Sequence, residues 1–156
     1  MAGTLLEGLS RYLGEEELAR LAAPRIGFAG CGGIGSNAAL MLARSGVRRF
    51  LLVDHDTVDA SNLNRQQFMP RDVGRPKAEA LRDRLLELDP ELDVDARVKK
   101  LTEQNADRYV PLADIWVEAF DAPECKRFLV ERVMMAGKRV VSASGLGGWG
   151  GPPMRR

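Results

Sequence analysis

The stretch GFAGCGGIGSN constrains this chain more than any other, because it places three glycines between an apolar run and a helical pattern. The apolar run covers residues 25–29, and the helical pattern covers residues 36–45. Gly30, Gly32 and Gly35 fit the spacing G-x-G-x-x-G. In that motif the first glycine permits a tight turn, the second lets the backbone approach a phosphate, and the third allows close packing of helix and strand. The pattern favours a nucleotide-binding turn, with helix N-terminal amides facing an anion, over a turn that serves packing alone.

Apolar runs alternate with helical patterns along the rest of the chain. Further strands are predicted at 50–53, 92–98, 115–120 and 139–143, and further helices at 78–88 and 125–136. This order predicts an α/β, Rossmann-like fold whose mostly parallel sheet has helices on both faces. Residues 1–24 are predicted to form an N-terminal amphipathic helical segment, broken near Gly14. Residues 25–156 are predicted to form the nucleotide-binding domain, incomplete after its fifth strand, with a loop-like glycine-rich tail at 145–156.

Composition narrows the classes of partner and compartment. The 156 residues suit one domain, and 23 basic against 22 acidic side chains leave a net charge of +1. Such a balance favours neither nucleic acid nor an anionic membrane, so any anion site must be local. Two cysteines without a C-x-x-C pair argue against a disulfide scaffold or a structural zinc site. With no signal peptide and no long apolar stretch, a cytoplasmic protein is expected.

The segment after the second strand indicates which nucleotide is bound. Asp54 lies roughly 20 residues beyond the glycine turn, where a carboxylate accepts hydrogen bonds from ribose hydroxyls; the alternative is a solvated acid at a strand end. The motif SNLNRQ then places Arg65 in a polar loop, and GRPKAEA places Lys77 at a helix start. Each cation alone is more commonly a solvated surface residue. In this order, however, two cations favour a triphosphate over a dinucleotide, because a glycine turn binds a pyrophosphate by itself.

Several motifs resemble the ThiF/MoeB/HesA family, relatives of the ubiquitin-activating enzymes: GCGGIGSN, LLVDHDTVDASNLNRQ, DVGRPKAEALRDRL, LDPEL and EAFDAPECK. They follow one another in family order over residues 30–126. The runs SNLNRQ, EAFD and SASGLGGWG are most similar to the short ThiF type, which adenylylates the sulfur carrier ThiS in thiamine synthesis. The resemblance implies an adenylyltransferase that activates the C-terminal glycine carboxylate of a ubiquitin-like sulfur carrier ending in Gly-Gly, and it implies a homodimer.

The resemblance also implies roles for individual residues. Asp121 is expected to hold Mg²⁺ and, with Arg65 and Lys77, to take part in catalysis. ATP is expected to be bound by Gly30, Gly32, Gly33, Gly35, Asp54, Asn62, Arg65, Gln66 and Lys77. Because a carboxylate nucleophile is already ionised near neutral pH, no general base is required, and His55 is interpreted as a loop residue.

Some positions depart from the family pattern. An Arg-Tyr-x-Arg stretch in which the second arginine reaches the partner subunit's ATP is replaced by RYLGEE, so Arg11 is only a weak candidate. Cys31 and Cys125 are interpreted as inert buried thiols. Two alternatives stay open: a nucleotide-binding protein that lacks catalysis because its C-terminal part is missing, and, less favoured, an NAD-dependent oxidoreductase.

Overall fold

The computed structural model describes residues 4–121 and 123–143, and it shows a five-stranded parallel sheet. The strands are Arg25–Ala29 (β1), Arg49–Asp54 (β2), Asp93–Val98 (β3), Ile115–Glu118 (β4) and Arg139–Ser142 (β5). Their order across the sheet is β3-β2-β1-β4-β5, and every neighbouring pair is parallel. The predicted Rossmann-like fold is confirmed.

Helices cover both faces of this sheet. Within the described residues they are Leu5–Leu9 (α1), Glu15–Ala22 (α2), Gly33–Arg44 (α3), Lys77–Leu88 (α4), Ala106–Tyr109 (α5) and Pro123–Met135 (α6). The central strands are apolar on both faces, as is typical of parallel sheets. Phe28 and Phe50 pack with α3 and α4 on one face, with their ring centroids 6.3 Å apart. Leu51 and Trp116 pack with α5 and α6 on the other face.

The N-terminal segment is two short helices, as the predicted break near Gly14 required. Thr4 caps α1, with its Oγ1 accepting from the Glu7 amide at 3.2 Å. Leucines of both helices surround Gly46 at the end of α3, where an added Cβ would lie 3.3 Å from Leu21 Cδ1. The leucine spacing that predicted an amphipathic segment therefore corresponds to packing against α3.

The element boundaries differ from the predicted ones in a few places. Helix α3 begins at Gly33 and not at Ser36, so Gly33 and Gly35 lie inside its first turn. Glycine disfavours helix interiors by about 1 kcal/mol, which is why the sequence pattern predicts a later start. The short helix α5 was not predicted, because four residues are too few to show a helical period.

Among the described residues, none of the helices combines the length and apolar character that a membrane crossing requires. The glycine-rich tail expected to be a loop at 145–156 lies outside the described residues. The proposed division into segments 1–24 and 25–156 stays a prediction.

Candidate nucleotide site

The carboxyl ends of β1, β2, β3 and β4 open onto one cavity of about 650 Å³. Helices α3 and α4 pack on one face of the sheet and α5 and α6 on the other, so the chain changes face between the neighbouring strands β1 and β4. Ligands of open α/β sheets bind at this kind of switch point. The lining residues come from six segments of the chain: Gly30, Gly32, Gly33, Ile34, Val53, Asp54, His55, Asp56, Arg65, Gln66, Lys77, Lys99, Lys100, Leu101, Ala119, Phe120, Asp121 and Cys125.

The glycine turn at the cavity floor is shaped by two close backbone approaches. Gly30 has a φ of 101°, and a Cβ there would lie 2.7 Å from the carbonyl oxygen of Ala119. A Cβ on Gly35 would lie 1.9 Å from the carbonyl oxygen of Gly30. These contacts bring the first turn of α3 against the end of β1, and they leave Gly32 and Gly33 at the cavity surface.

Asp54 ends β2 and is 8% exposed. Its Oδ2 accepts from the amide of Cys31 at 2.6 Å, and its Oδ1 accepts from the amide of Asp56 at 2.8 Å. The carboxylate thereby ties the glycine turn to the segment after β2. Each carboxylate oxygen can accept more than one hydrogen bond, so acceptor capacity remains for a ribose hydroxyl in the cavity.

Two cations from separate segments face the cavity. Lys77 is 8% exposed in the first turn of α4, with Nζ lying 3.5 Å from Oδ2 of Asp56 and its amide donating to the Asp56 carbonyl at 2.9 Å. Arg65 is exposed, and its guanidinium donates to the carbonyl of Ser61 at 3.1 Å and to Asn64 Oδ1 at 3.0 Å. The structure therefore brings together the two positive charges that the sequence singled out.

Three other residues expected to bind ATP have distinct positions. Gln66 lines the cavity, and its buried Oε1 has no hydrogen-bond partner among the residues that the structure describes. Asn62 lies outside the lining and accepts from the amide of Asp59 at 2.9 Å, which caps the short 3-10 helix Ala60–Asn62. Gly35 is buried behind the turn. Nucleotide contacts by these residues stay predictions.

The cavity offers carboxylate ligands suited to magnesium. Asp121, just after β4, is exposed on the cavity wall. Asp54, His55 and Asp56 bring potential ligand atoms within 4.8 Å of one another. Mg²⁺ in nucleotide sites takes one or two carboxylates together with phosphate oxygens and waters. The carboxylates of Asp121, Asp54 and Asp56 line the cavity, so the donor set is compatible with Mg²⁺.

Residues 6–155 match the ThiF family. The chain belongs to the ThiF family. The family resemblance predicted from the motifs is thus confirmed, while similarity to the ThiS-specific type in particular stays a prediction.

Relatives of this ThiF-family chain differ in the reactions that their names describe. It is 35% identical over 135 residues to tRNA threonylcarbamoyladenosine dehydratase of Bacillus subtilis, covering 85% of this chain and 53% of the relative. It is 38% identical over 118 residues to the adenylyltransferase and sulfurtransferase uba4 of Emericella nidulans, covering 75% of this chain and 24% of that one. The chain is 32% identical in sequence to the E. coli dehydratase whose crystal structure was determined in complex with ATP. The two structures match with a TM-score of 0.86, and the match covers 93% of this chain and 60% of that chain. The chain therefore spans about half the length of the bacterial dehydratases.

Sequence reasoning missed several residues of the cavity. Lys99 and Lys100 follow β3 and line the cavity, and Phe120, which also lines it, follows β4. The signal for the lysines was available, because they come directly after a predicted strand and the carboxyl ends of parallel strands share one edge of the sheet. Phe120 gave no such signal, since an aromatic residue at a strand end is more commonly part of the core.

The two cysteines have different environments in this ThiF-family chain. Cys31 is fully buried within the glycine turn, as predicted. Burial, reinforced by the nearby Asp54 carboxylate, raises the pKa of the Cys31 thiol well above its usual range. Cys125 was predicted to be buried but is half-buried, because it lies in the first turn of α6 where that helix meets the cavity.

We expect a thiol reagent such as DTNB to label Cys125 and leave Cys31 unmodified in the native protein at about pH 8. The raised pKa keeps Cys31 in its neutral form, and burial excludes the reagent. ATP should slow labelling of Cys125, since that side chain lines the cavity. Mass spectrometry of the labelled protein checks this, with Cys125→Ser as the control. Equal labelling of both thiols in folded protein would contradict the assignment.

Proposed function

We propose that the chain binds ATP and catalyses adenylylation of a carboxylate, forming an acyl adenylate and releasing pyrophosphate. The supporting observation is that one cavity at the switch point gathers the glycine turn with Asp54, Arg65, Lys77 and Asp121. A glycine turn suffices for the pyrophosphate of a dinucleotide, whereas a triphosphate has charge enough to engage both cations. The named functions of relatives agree: uba4 is an adenylyltransferase, and the E. coli dehydratase forms a complex with ATP.

Each part of the cavity would bind one part of ATP. The carboxylate of Asp54 would accept hydrogen bonds from the ribose hydroxyls. The backbone at Gly32 and Gly33 and the N-terminus of α3 would contact the α-phosphate, since helix N-terminal amides attract anions. Arg65 and Lys77 would hold the β- and γ-phosphates, Arg65 through two parallel hydrogen bonds and Lys77 as a compact charge.

The reaction requires placement and charge stabilisation rather than proton transfer. An oxygen of the substrate carboxylate attacks the α-phosphorus, and the bond from that phosphorus to the bridging oxygen breaks, so that pyrophosphate leaves with the electron pair. The carboxylate is already ionised near neutral pH, so His55 need not act as a base. Asp121 would hold Mg²⁺, which when bound neutralises charge developing on the pyrophosphate. Lys77 and Arg65 would stabilise the same charge.

We propose the C-terminal glycine carboxylate of a ubiquitin-like sulfur carrier as the acyl substrate. The motif resemblance supports this choice, as does the fungal relative that is both adenylyltransferase and sulfurtransferase. The dehydratase relatives favour a second candidate, a carboxylate on tRNA. Threonylcarbamoyladenosine contains a threonyl carboxylate, and removing water from it would require activation of the same kind. Participation in thiamine synthesis and exclusion of nucleic acid stay predictions.

Exchange of labelled pyrophosphate into ATP tests the proposal. The full chain is assayed with a carrier ending in Gly-Gly, with the same carrier lacking its final glycine, and with tRNA containing threonylcarbamoyladenosine. Exchange that depends on the intact carrier supports the first candidate, and exchange that depends on the modified tRNA supports the second. ATP binding without exchange would leave a nucleotide-binding protein, and thermal stabilisation by NAD but not by ATP–Mg²⁺ would reject an ATP site.

We expect Arg65→Ala to weaken ATP binding about tenfold to a hundredfold while changing AMP binding little. A charge-assisted hydrogen bond contributes roughly 1.5–3 kcal/mol, and AMP lacks the phosphates that Arg65 would contact. Titration calorimetry with both nucleotides measures this. Arg71→Ala is the matched control, because Arg71 is an exposed arginine that pairs with Glu87 outside the cavity. Equal losses for ATP and AMP would assign Arg65 a structural role.

We also propose that the protein is a homodimer, as the family resemblance implies. The exposed apolar side chain of Met41 on α3, which lies outside the cavity lining, is compatible with self-association. Light scattering at micromolar concentrations tests the dimer, and a monomer at every concentration would reject it.

A further inference from the structure

A fully buried acid lies beneath the turn that presents Asp121 to the cavity. Glu118 is the last residue of β4 and has no exposed surface. Its Oε1 accepts from the amide of Phe120 at 2.7 Å, within the turn itself. Glu118 is absent from the cavity lining, so it acts on any ligand only through the residues that it contacts.

The cation that neutralises Glu118 comes from α6. Lys126 Nζ lies 3.1 Å from Oε1 and 3.3 Å from Oε2 of Glu118, and it donates to the carbonyl of Ala143 at 3.2 Å. Ser142 Oγ donates to Oε2 at 2.5 Å. This largely buried ion pair, in which the Glu118 side chain is fully buried and that of Lys126 is 18% exposed, thus joins the turn after β4, the first turns of α6 and the end of β5.

Such an arrangement is poorly explained by stability. Desolvation of a buried ion pair commonly offsets its attraction, and apolar replacements of similar volume are often as stable or more so. A buried ion pair can, however, fix a single conformation of the backbone to which it is hydrogen-bonded. Here that backbone is the turn 119–121, in which the Ala119 amide also donates to the carbonyl of Ala29 at 2.9 Å.

We propose that the Glu118–Lys126 ion pair is a positioning device that holds the turn 119–121 so that Asp121 faces the cavity. The role of Asp121 toward Mg²⁺ rests on the proposed function, whereas the placement of the turn does not. Lys126 orients the Glu118 carboxylate, and Glu118 in turn fixes the Phe120 amide one residue before Asp121. Lys126 and Glu118 are positioning residues, and neither touches substrate.

The carbonyl of Ala119 extends the effect to the glycine turn. It lies 2.7 Å from the position that a Cβ on Gly30 would occupy, so the two turns are in direct backbone contact. A displacement of the turn 119–121 would therefore move the metal-binding acid and alter the floor of the nucleotide cavity together. We therefore expect the Mg²⁺ concentration required for ATP binding to change. A uniform loss of stability would not alter this Mg²⁺ dependence selectively.

The test compares Lys126→Met with Lys126→Arg and Arg127→Met in the full chain. Methionine keeps the length of the side chain but removes its charge, and arginine restores the charge. Arg127 is the matched control, since its side chain is 81% exposed and pairs with Glu131 on the same helix. Two measurements are made: hydrogen exchange of individual amides by NMR without nucleotide, and ATP binding as a function of Mg²⁺ concentration.

We expect the Phe120 amide to exchange roughly tenfold faster in Lys126→Met, while the central-strand amides of Phe28 and Leu52 stay unchanged. The Mg²⁺ concentration for half-maximal ATP binding should rise about tenfold, as it does when an outer partner of a metal ligand is removed. Lys126→Arg should restore both values, and Arg127→Met should match the wild type. Unchanged Phe120 exchange, or equal acceleration of all three amides, would overturn the proposal.

A second variant covers the case in which Lys126→Met does not fold. Glu118→Leu combined with Lys126→Met removes both charges and keeps an apolar volume, so the protein should fold. Its Phe120 amide, having lost the acceptor, should also exchange roughly tenfold faster, and wild-type exchange there would overturn the proposal. If the wild type shows no Mg²⁺-dependent ATP binding, the proposed function fails, and hydrogen exchange alone decides whether the ion pair positions the turn.

Discussion

Replacing Gly35 by alanine is expected to destabilise the protein by at least about 3 kcal/mol, a large share of the roughly 5–15 kcal/mol that holds a domain folded. The new Cβ would lie 1.9 Å from the carbonyl oxygen of Gly30 and 2.9 Å from its carbonyl carbon. Neither atom can move away easily, because the Gly30 amide donates to the carbonyl of Val53 at 3.0 Å at the end of the central strands. Urea denaturation measures the loss.

Gly33→Ala is the matched control for this steric argument. It lies in the same turn of α3, but a Cβ there would meet only the Arg65 side chain, at 3.8 Å from Cγ and 4.0 Å from Cδ. Because alanine favours helices over glycine by about 1 kcal/mol, stability should be unchanged or slightly higher. Equal destabilisation by both substitutions would show that loss of glycine in the helix, and not the contact with Gly30, is responsible.

Asp121→Ala is expected to slow adenylate formation by roughly a hundredfold or more while leaving the protein folded. Its carboxylate is exposed on the cavity wall, so its removal leaves no cavity in the core. The loss arises because Asp121 would hold the cation that stabilises charge on the departing pyrophosphate. Pyrophosphate exchange, assayed with whichever acyl substrate supports exchange by the wild type, measures the rate, and circular dichroism and urea denaturation establish that folding is retained.

Asp107→Ala provides a control for removing one negative charge. Asp107 is an exposed acid on α5, with its Oδ1 3.6 Å from Arg132, and it lies outside the cavity lining. Its substitution should leave exchange within about twofold of the wild type, as is usual for surface changes far from a site. A wild-type rate in Asp121→Ala would remove Asp121 from the catalytic proposal.

Much of the fold was predictable because its signals are local. The apolar runs that became β1 and β2 are bounded by charged residues and a glycine turn, and the strands need no distant contact to be recognised. Asp54 was predictable for the same reason, since its position follows from the distance along the chain to the glycine motif. Helix starts were less predictable: α3 begins at Gly33 and contains Gly35, whose close approach to the Gly30 carbonyl is a tertiary contact that the low helix propensity of glycine does not reveal.

The buried ion pair shows what sequence patterns miss. Lys126 and Glu118 are eight residues apart and Ser142 lies a further strand away, yet their side chains meet in the interior. The motif EAFDAPECK contains both partners, but the periodicity of a strand followed by a helix does not say which charged side chains turn inward. Likewise the sequence does not show that the Asn62 side chain caps a short helix, and the nucleotide contact that the family resemblance implies for Asn62 stays a prediction.

The sequence by itself determined the glycine turn, the alternation of strands and helices, and membership of the ThiF family, because motif spacing and periodicity are properties of neighbouring residues. Only the tertiary structure decided that Lys99, Lys100 and Phe120 join Asp54 around one cavity, and that Glu118 pairs with Lys126 beneath Asp121. The physical reason is strand order. Placing β4 beside β1 brings together residues that are far apart in the chain, and the packing of two apolar faces selects that order.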